Sequence, residues 1–520
     1  MSLVRATATI GSLTLVSRVA GFVRDVLQAS LMGAGMAADA FLIAQRLPNL
    51  FRALFAEGAF ASAFVPMFNR QVGADGGRID GARRFAEDVL AVLLPVLLVF
   101  TVIMVAGAAP VVWALTGGFP DASPEKFALT VDFTRLTFPY LLLISLTSLL
   151  GGLLNSVGRF AVNAAAPVLL NLVLIAGLLY SGGSDDVAAG RVQALCVTLG
   201  GIVQLLWLLW SCSRAGIGLR LRLPRLTAQV RTLMALIVPA ALGAGAVQVN
   251  LVISTALAAR FLGEGAVSWL YYADRLNQLP LGIIGIGVGT ALLPAMSRLI
   301  GGGDTAGAIG QQNRAMELVL ILTLPAAAGL VVAAQPIVAL LFEHGEFTAA
   351  DTRATAWALA GFALGLPAYV LIKVLTPGFH ARSDTRSPVR VALLAMLVNL
   401  VANLALIWPL GHVGIALGTA LSAWVNAGAL AWLLARRGHF ALDARARHML
   451  PRLVVATAAM VAALCALLPL VALLPLHGTP GEALGVSLLI AGGSVAYLAA
   501  ARLLGLFTLA GLAAQLKRKR

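Results

Sequence analysis

The chain has 520 residues, 60% of them hydrophobic and 11% charged. Soluble domains carry about 25% charged residues, so a water-soluble globular fold is excluded; the absence of short alternating segments excludes a membrane β-barrel. A net charge of +15 would admit a nucleic-acid partner, but the basic residues fall in alternate loops between apolar runs, which excludes that class and points to a polytopic α-helical membrane protein.

In chain order, about fourteen spans are predicted, near 7–31, 40–66, 86–114, 131–154, 161–180, 190–211, 233–260, 267–297, 314–334, 352–376, 389–408, 413–435, 450–475 and 483–512. The N-terminus reads as a retained first span, because its apolar stretch runs into Arg18 and Arg24 and no small-residue cleavage site follows. The loops at 67–85, 155–160, 212–232, 298–313, 377–390 and 436–452, with Arg5 and the tail "KRKR", hold 24 Lys/Arg, whereas the opposite loops hold one, Lys126. The basic side is cytoplasmic by the positive-inside rule. An even number of spans then places both termini inside. Cys196, Cys212 and Cys465 are scattered in or beside apolar segments, as packing residues rather than a disulfide framework or metal site.

The first six spans recur in the next six. Pro66 in "FVPMFNR" matches Pro294 in "LLPAMSR", and Arg70 matches Arg298, both at an offset of 228. Arg46 faces Arg275 at 229, Pro95 faces Pro325 at 230, and Pro139 and Asn171 face Pro367 and Asn399 at 228. Six spans is an even number, so the two copies keep one orientation. Parallel repeats of this kind are a transporter architecture with the substrate site between the halves, near mid-membrane. The resulting division is 1–215, a first lobe; 216–440, a second lobe; and 441–520, two added helices without a counterpart.

Ionisable residues inside spans cost roughly 2.5–3.5 kcal/mol each on insertion scales, so they must face protein, water or a partner. "SRVAGFVRD" in the first span holds Arg18, Arg24 and Asp25. The second span, "DAFLIAQRLPNLFRALFAEGAFASAFVP", places Asp39 and Glu57 within about 20° of Arg46, with Asn49, Gln45 and Arg52 completing a polar arc of about 140°. In the eighth span, "SWLYYADRLNQLPLGIIGIGVGTALLP", Ser268, Tyr271, Tyr272, Arg275 and Gln278 group similarly beside Asp274. Pro280 and the glycines that follow it mark a bendable helix. Lys373 is the other charged residue well inside a span. Arginines outnumber the nearby carboxylates, and the planar guanidinium suits phosphate bidentately; an anionic, phosphate-bearing substrate is expected. The plainer readings stand beside this one: Arg18, Arg24 and Lys373 as side chains snorkelling to the interface, Glu57 as a structural partner of Arg46 or Arg52, and Asp274–Arg275 as a helix cap.

"SRVAGFVRD", "GAGMAADAF", "RLPNLFRALFAEGAFASAFVP", "FPYLLLISL", "VSWLYYADRL" and "KVLTPGFHARSDTRSPV" together resemble the MurJ (MviN) family of bacterial lipid II flippases, in the multidrug/oligosaccharidyl-lipid/polysaccharide exporter superfamily. The resemblance covers the whole chain. It implies two six-helix lobes with a central cationic cavity, and two C-terminal helices forming a groove for the polyprenyl tail. The essential cavity arginines would be Arg18, Arg24, Arg52 and Arg275, with Asp25, Asp39 and Glu57 beside them. The substrate would be lipid II, a diphosphate-linked disaccharide-pentapeptide on an undecaprenyl tail, moved by alternating access for peptidoglycan synthesis and cell shape. The setting would be the bacterial inner membrane, with membrane lipids and cell-wall synthesis proteins as partners. No cofactor is implied beyond coupling to the membrane potential or a monovalent cation. Relatives often carry lysine where Arg46 stands, and some carry glutamate where Gln278 stands.

Two other classes remain open on the residues alone. An exporter of another polyprenyl-diphosphate-linked oligosaccharide would share the fold. A polytopic enzyme acting on polyprenyl phosphates would need clustered carboxylates or histidines near an interface, and the adjacent acidic pair Asp185–Asp186 lies in a short loop without supporting motifs. A Walker A motif for ATP is absent.

Overall fold

Glycine and proline punctuation cuts the apolar stretches into more helices than spans. In a computed structural model of the chain, residues 3–55, 59–74, 80–119, 123–474 and 478–506 are described, and they form eighteen α-helices. Glu57 and the basic C-terminal tail lie outside the described residues. The helices are α1 (Leu3–Met32), α2 (Met36–Phe55), α3 (Ala59–Ala74), α4 (Asp80–Ala106), α5 (Ala108–Thr116), α6 (Pro124–Thr137), α7 (Tyr140–Ser156), α8 (Phe160–Tyr180) and α9 (Asp186–Arg214). They continue as α10 (Ala228–Phe261), α11 (Ala266–Gly301), α12 (Thr305–Val332), α13 (Ala334–Phe342), α14 (Ala349–Ala363), α15 (Leu366–His380), α16 (Arg386–Arg436), α17 (Ala444–Ala472) and α18 (Gly478–Leu503). Among the described residues, nine helical segments are long and apolar enough to cross a membrane. The all-helical membrane architecture expected from the sequence is therefore present.

The repeat is visible in where helices break. A long helix followed by a nine-residue one occurs as α4–α5, interrupted at Gly107, and again as α12–α13, interrupted at Ala333. The next span of each copy is also split, at Phe138–Pro139 and at Leu364–Gly365. Proline has no N–H to donate, so Pro139 sits where a helix begins rather than within one. The 51-residue trace of α16 would extend about 77 Å if straight, far beyond the ~30 Å of a hydrocarbon core. It folds back at Gly411, whose φ of 56° and ψ of −133° only glycine adopts readily. The resulting hairpin is closed by Ser422 Oγ donating to Ala395 O at 2.8 Å.

Packing divides the chain into two units, Met1–Ser268 with His344–Phe347, and Trp269–Glu343 with Thr348–Arg520. This border falls later than the repeat border at 215/216, because α10 packs on α2 and α3 of the first unit. Within the first unit α8 lies closely against α9: a Cβ on Gly200 would stand 2.5 Å from Leu170 Cδ1, the small-residue contact that lets membrane helices approach. Gln193 and Gln204 of α9 donate to Leu174 O and Ala166 O of α8 at 3.0 and 2.8 Å, tying the pair further. Within the second unit α17 and α18 pack on each other and on α12.

Candidate functional site: buried charges of the membrane helices

Arg24 and Asp25 are adjacent on α1, and both are buried, at 7% and 1% exposure. A bare arginine in that position would be untenable; the chain supplies partners. Arg24 Nη2 and Nε donate to Asp25 Oδ1 at 2.6 and 3.1 Å, and Nη1 donates to Asn171 Oδ1 of α8 at 3.2 Å. Asn171 in turn donates through Nδ2 to Ser17 O of α1 at 3.0 Å. A Cβ on Gly21 would lie 3.5 Å from the Asn171 amide, so the small residue lets α8 bring its asparagine this close. Arg18 is exposed and stands apart from this cluster. The arrangement includes an arginine bound to one carboxylate and one amide, side chain to side chain.

A second buried cluster begins at the N-terminal end of α2. Asp39 is 1% exposed. Its Oδ2 accepts from Lys126 Nζ of α6 at 3.1 Å and Gly265 N at 2.9 Å, and its Oδ1 accepts from Ser268 N at 2.9 Å and Ser268 Oγ at 2.7 Å. Gly265 and Ser268 flank the start of α11, so the carboxylate also serves that helix's free N–H groups and positive dipole end. Asp39, expected on the polar arc of the second span with Arg46, is here committed to joining α2, α6 and the start of α11. Lys126, the one basic residue of the loops opposite the basic set, is 4% exposed and lies 5.0 Å from the centroid of the Phe119 ring.

Further along α2, Arg46 is half-buried in a small crevice with Ile43, Leu47, Thr116 and Thr255. Arg52, also half-buried, donates from Nε to Asn49 Oδ1 at 3.3 Å. In the second unit, Arg275 donates to Tyr271 Oη at 3.1 and 3.2 Å, with its guanidinium 5.2 Å from the Tyr271 ring centroid. Asp274 accepts from Gln278 at 2.6 Å, one turn on. Tyr272, grouped with these by the sequence, is fully buried against Phe342 instead, and Ser268 belongs to the Asp39 cluster. Lys373 is half-buried on α15.

Sequence reasoning passed over Lys126 and Asn171 as functional partners, and two glutamates altogether. Glu87 and Glu317, on α4 and α12, are 2% and 4% exposed. They stand at an offset of 230, the same as Pro95 and Pro325. Glu87 pairs with Arg83 and Arg222 at 3.1 and 2.6 Å, and Glu317 with Arg314 and Arg445 at 2.5 and 3.2 Å. The shared offset was the available signal.

The model of the family described as "Lipid II flippase MurJ" matches residues 28–475. The chain belongs to the MurJ family. Among curated relatives, a probable lipid II flippase MurJ of Rhizobium meliloti is 47% identical over 467 residues, 89% of this chain and 86% of that one. The lipid II flippase MurJ of Burkholderia cenocepacia is 36% identical over 445 residues, 84% of this chain and 85% of its own length. Of solved structures, one described as lipid II flippase MurJ in an inward closed conformation superposes with a TM-score of 0.77 at 22% identity, covering 95% of this chain and 98% of that one. An inward-facing multidrug MATE transporter of the MOP superfamily superposes at 0.67 with 16% identity, covering 83% and 98%. The MurJ fold is thus shared with a transporter superfamily.

Proposed function

We propose that this MurJ-family chain carries lipid II from the cytoplasmic to the outer leaflet of the inner membrane by alternating access, with both termini in the cytoplasm. The observation that carries the reading is Arg24: a buried arginine on α1, which the sequence reads as the first span, bound by side chains that can be exchanged for other acceptors, in a chain of a family named for lipid II. A diphosphate presents charged acceptor oxygens that can replace the Asp25 Oδ1 and Asn171 Oδ1 atoms that Arg24 now binds. Transfer of the Arg24 guanidinium from one to the other keeps its donors satisfied throughout. Arg18, Arg52 and Arg275 are the further arginines that would contact the substrate in the course of transport, with Asp25 returning Arg24 to its resting place once substrate leaves. Glu57, Arg46, Asp274 and Lys373 would shape the field around them.

The undecaprenyl tail has a suitable surface in the second unit. A cavity of about 520 Å³, lined by Pro280, Pro325, Leu464, Leu489, Gly493 and Tyr497 among others, is walled by α12, α17 and α18 and is almost wholly apolar. An anion moving outward is favoured by the inside-negative potential, by ~2.3 kcal/mol per charge per 100 mV if it crosses the full field. That supplies a driving force without ATP; coupling to a monovalent cation is the second route. The test is accessibility of lipid II at the outer leaflet in cells depleted of their native flippase. Arg24→Ala should abolish it at normal membrane abundance, and Arg24→Lys should restore little, since an ammonium lacks the planar fork. Full function from both variants would overturn the reading.

A further inference from the structure

The segment that joins the two repeats, between α9 and α10, reads "AGIGLRLRLPRLT" over 215–227. Its start lies at a marked depth. The Trp207 and Trp210 rings lie 5.3 Å apart, tilted by 34°, near the end of α9, and the Arg214 guanidinium lies 5.1 Å from the Trp210 ring centroid. Exposed tryptophan at a helix end, followed one turn later by arginine, is how a spanning helix meets the headgroup layer. The linker therefore begins at the membrane surface, and α10 re-enters the bilayer at its other end.

Glu87 then decides what the linker turns outward. Its buried carboxylate accepts from Arg220 N at 3.1 Å and pairs with Arg222 at 2.6 Å, while Ile217 is buried and Leu219 packs against the core of the first unit. With its backbone and Arg222 drawn inward, the segment leaves Leu221, Leu223 and Leu226 at 72%, 79% and 64% exposure. The side chains of Arg220, Arg225 and Arg231 are exposed beside them.

The equivalent exit from the second repeat shows what is missing. There, Arg436 sits over Trp432 at 5.3 Å, four residues apart as in Trp210–Arg214, and Glu317 plays the part of Glu87. Yet Phe440 is buried and Leu442 packs against the core of the second unit, Asn313 Nδ2 donates to Ala441 O, and Asp443 caps α17. In that exit protein covers the apolar side chains; in the first linker three leucines stand open, with Arg220 and Arg225 beside them and Arg231 on the first turn of α10.

We infer that the α9–α10 linker is an anionic-lipid anchor: Leu221, Leu223 and Leu226 enter the cytoplasmic leaflet, and Arg220, Arg225 and Arg231 bind the phosphates of its acidic phospholipids. The leaflet rests on the cytoplasmic orientation proposed above. Apolar side chains flanked by arginine suit an interface where lipid tails and anionic headgroups meet within one residue's reach. No substrate is needed for the anchor to form.

The experiment places bimane at Leu223→Cys in a Cys465→Ser background of the full chain, Cys196 and Cys212 being buried. In vesicles containing phosphatidylglycerol, a lipid carrying a nitroxide near its headgroup should quench the label, and aqueous iodide should not. In pure phosphatidylcholine vesicles iodide access should rise severalfold. Arg220→Gln with Arg225→Gln should make the phosphatidylglycerol vesicles behave like phosphatidylcholine, the apparent preference for acidic lipid falling about fivefold per arginine. Equal iodide access in both vesicle types, or no quenching by the lipid nitroxide, would overturn the anchor. Labelling of the same cysteine by an impermeant thiol reagent added outside intact cells would overturn its leaflet. Lipid II movement is not read in any arm, so the anchor stands or falls apart from the transport proposal.

Discussion

Two buried acid–base pairs in the same unit are built on different terms. Asp39 receives a lysine, two backbone N–H groups and a serine hydroxyl, so its oxygens are saturated and two of its partners cannot move without unwinding the start of α11. Arg24 is bound by the side chains of Asp25 and Asn171. The first pair locks chain segments together; the second can change partners at little cost to the helices that carry it. The lesson is that burial of charge does not by itself mark a functional group in a membrane protein. What surrounds the charge, backbone or side chain, separates a clasp from a grip.

The largest effect should come from breaking the clasp. Lys126→Ala leaves the Asp39 carboxylate buried without its cation, and losses of about 3–5 kcal/mol follow from stranding one member of a buried pair. Expected in fluorescence-detected size-exclusion thermal melts is little folded protein, or a melting point lowered by roughly 3–5 °C, the unfolding entropy of a chain this long being about 1 kcal/mol per degree. A melting point near wild type would erase the distinction between the two clusters. Substituting both partners, Asp39→Asn with Lys126→Met, should recover part of the loss, since neither charge is then stranded.

Next is the grip. Arg24→Gln combined with Asp25→Asn, which strands neither charge, should leave the melting point within about a degree of wild type and lower transport by at least ten- to a hundredfold, from charge-assisted hydrogen bonds worth about 1.5–3 kcal/mol. If the melting point of this double variant falls as for Lys126→Ala, Arg24 is a structural residue like Asp39. Asn171→Ala sharpens the same point at smaller scale: it removes one neutral partner of Arg24 and the bond to Ser17 O. A hydrogen bond to a charged group contributes about 1.5 kcal/mol or more, so a fall of about tenfold in outer-leaflet lipid II is expected, with no change in membrane abundance.

The smallest effect concerns a carboxylate outside the membrane. Asp384 accepts from Ser387 at the start of α16 and pairs with Arg437 at 2.7 Å, and these hydrogen bonds and the charge hold its carboxyl well below the usual range. A folded-state value below the unfolded ~3.9 means its stabilisation is complete above that pH and is lost as pH falls below it. Melts of purified protein from pH 6 to pH 3 should show a modest decline that Asp384→Asn flattens. A decline unchanged in Asp384→Asn would assign the acid sensitivity to other carboxylates. It would also show that charge at a helix cap matters less than either membrane cluster.

The sequence by itself determined the solvent, the class and the repeat. Runs of apolar residues answer to lipid without reference to any neighbour, and the charge asymmetry of the loops is a one-dimensional signal. The offsets linking Pro95 to Pro325 and Pro139 to Pro367 foreshadowed the paired helix breaks at Gly107 and Ala333 and ahead of each second proline. Angular arithmetic along one helix did less well, because it knows nothing of what lies opposite. It set Asp39 with Arg46, although the partner that matters for Asp39, Lys126, is 87 residues away on another helix. It treated Arg18 and Arg24 alike, although only Arg24 reaches Asn171, 147 residues on. The tertiary structure decided which charges were spent on holding the fold and which were left exchangeable. The physical reason is that a buried ionisable group is defined by its partners, and in a bundle of helices those partners are brought to it by packing rather than by sequence.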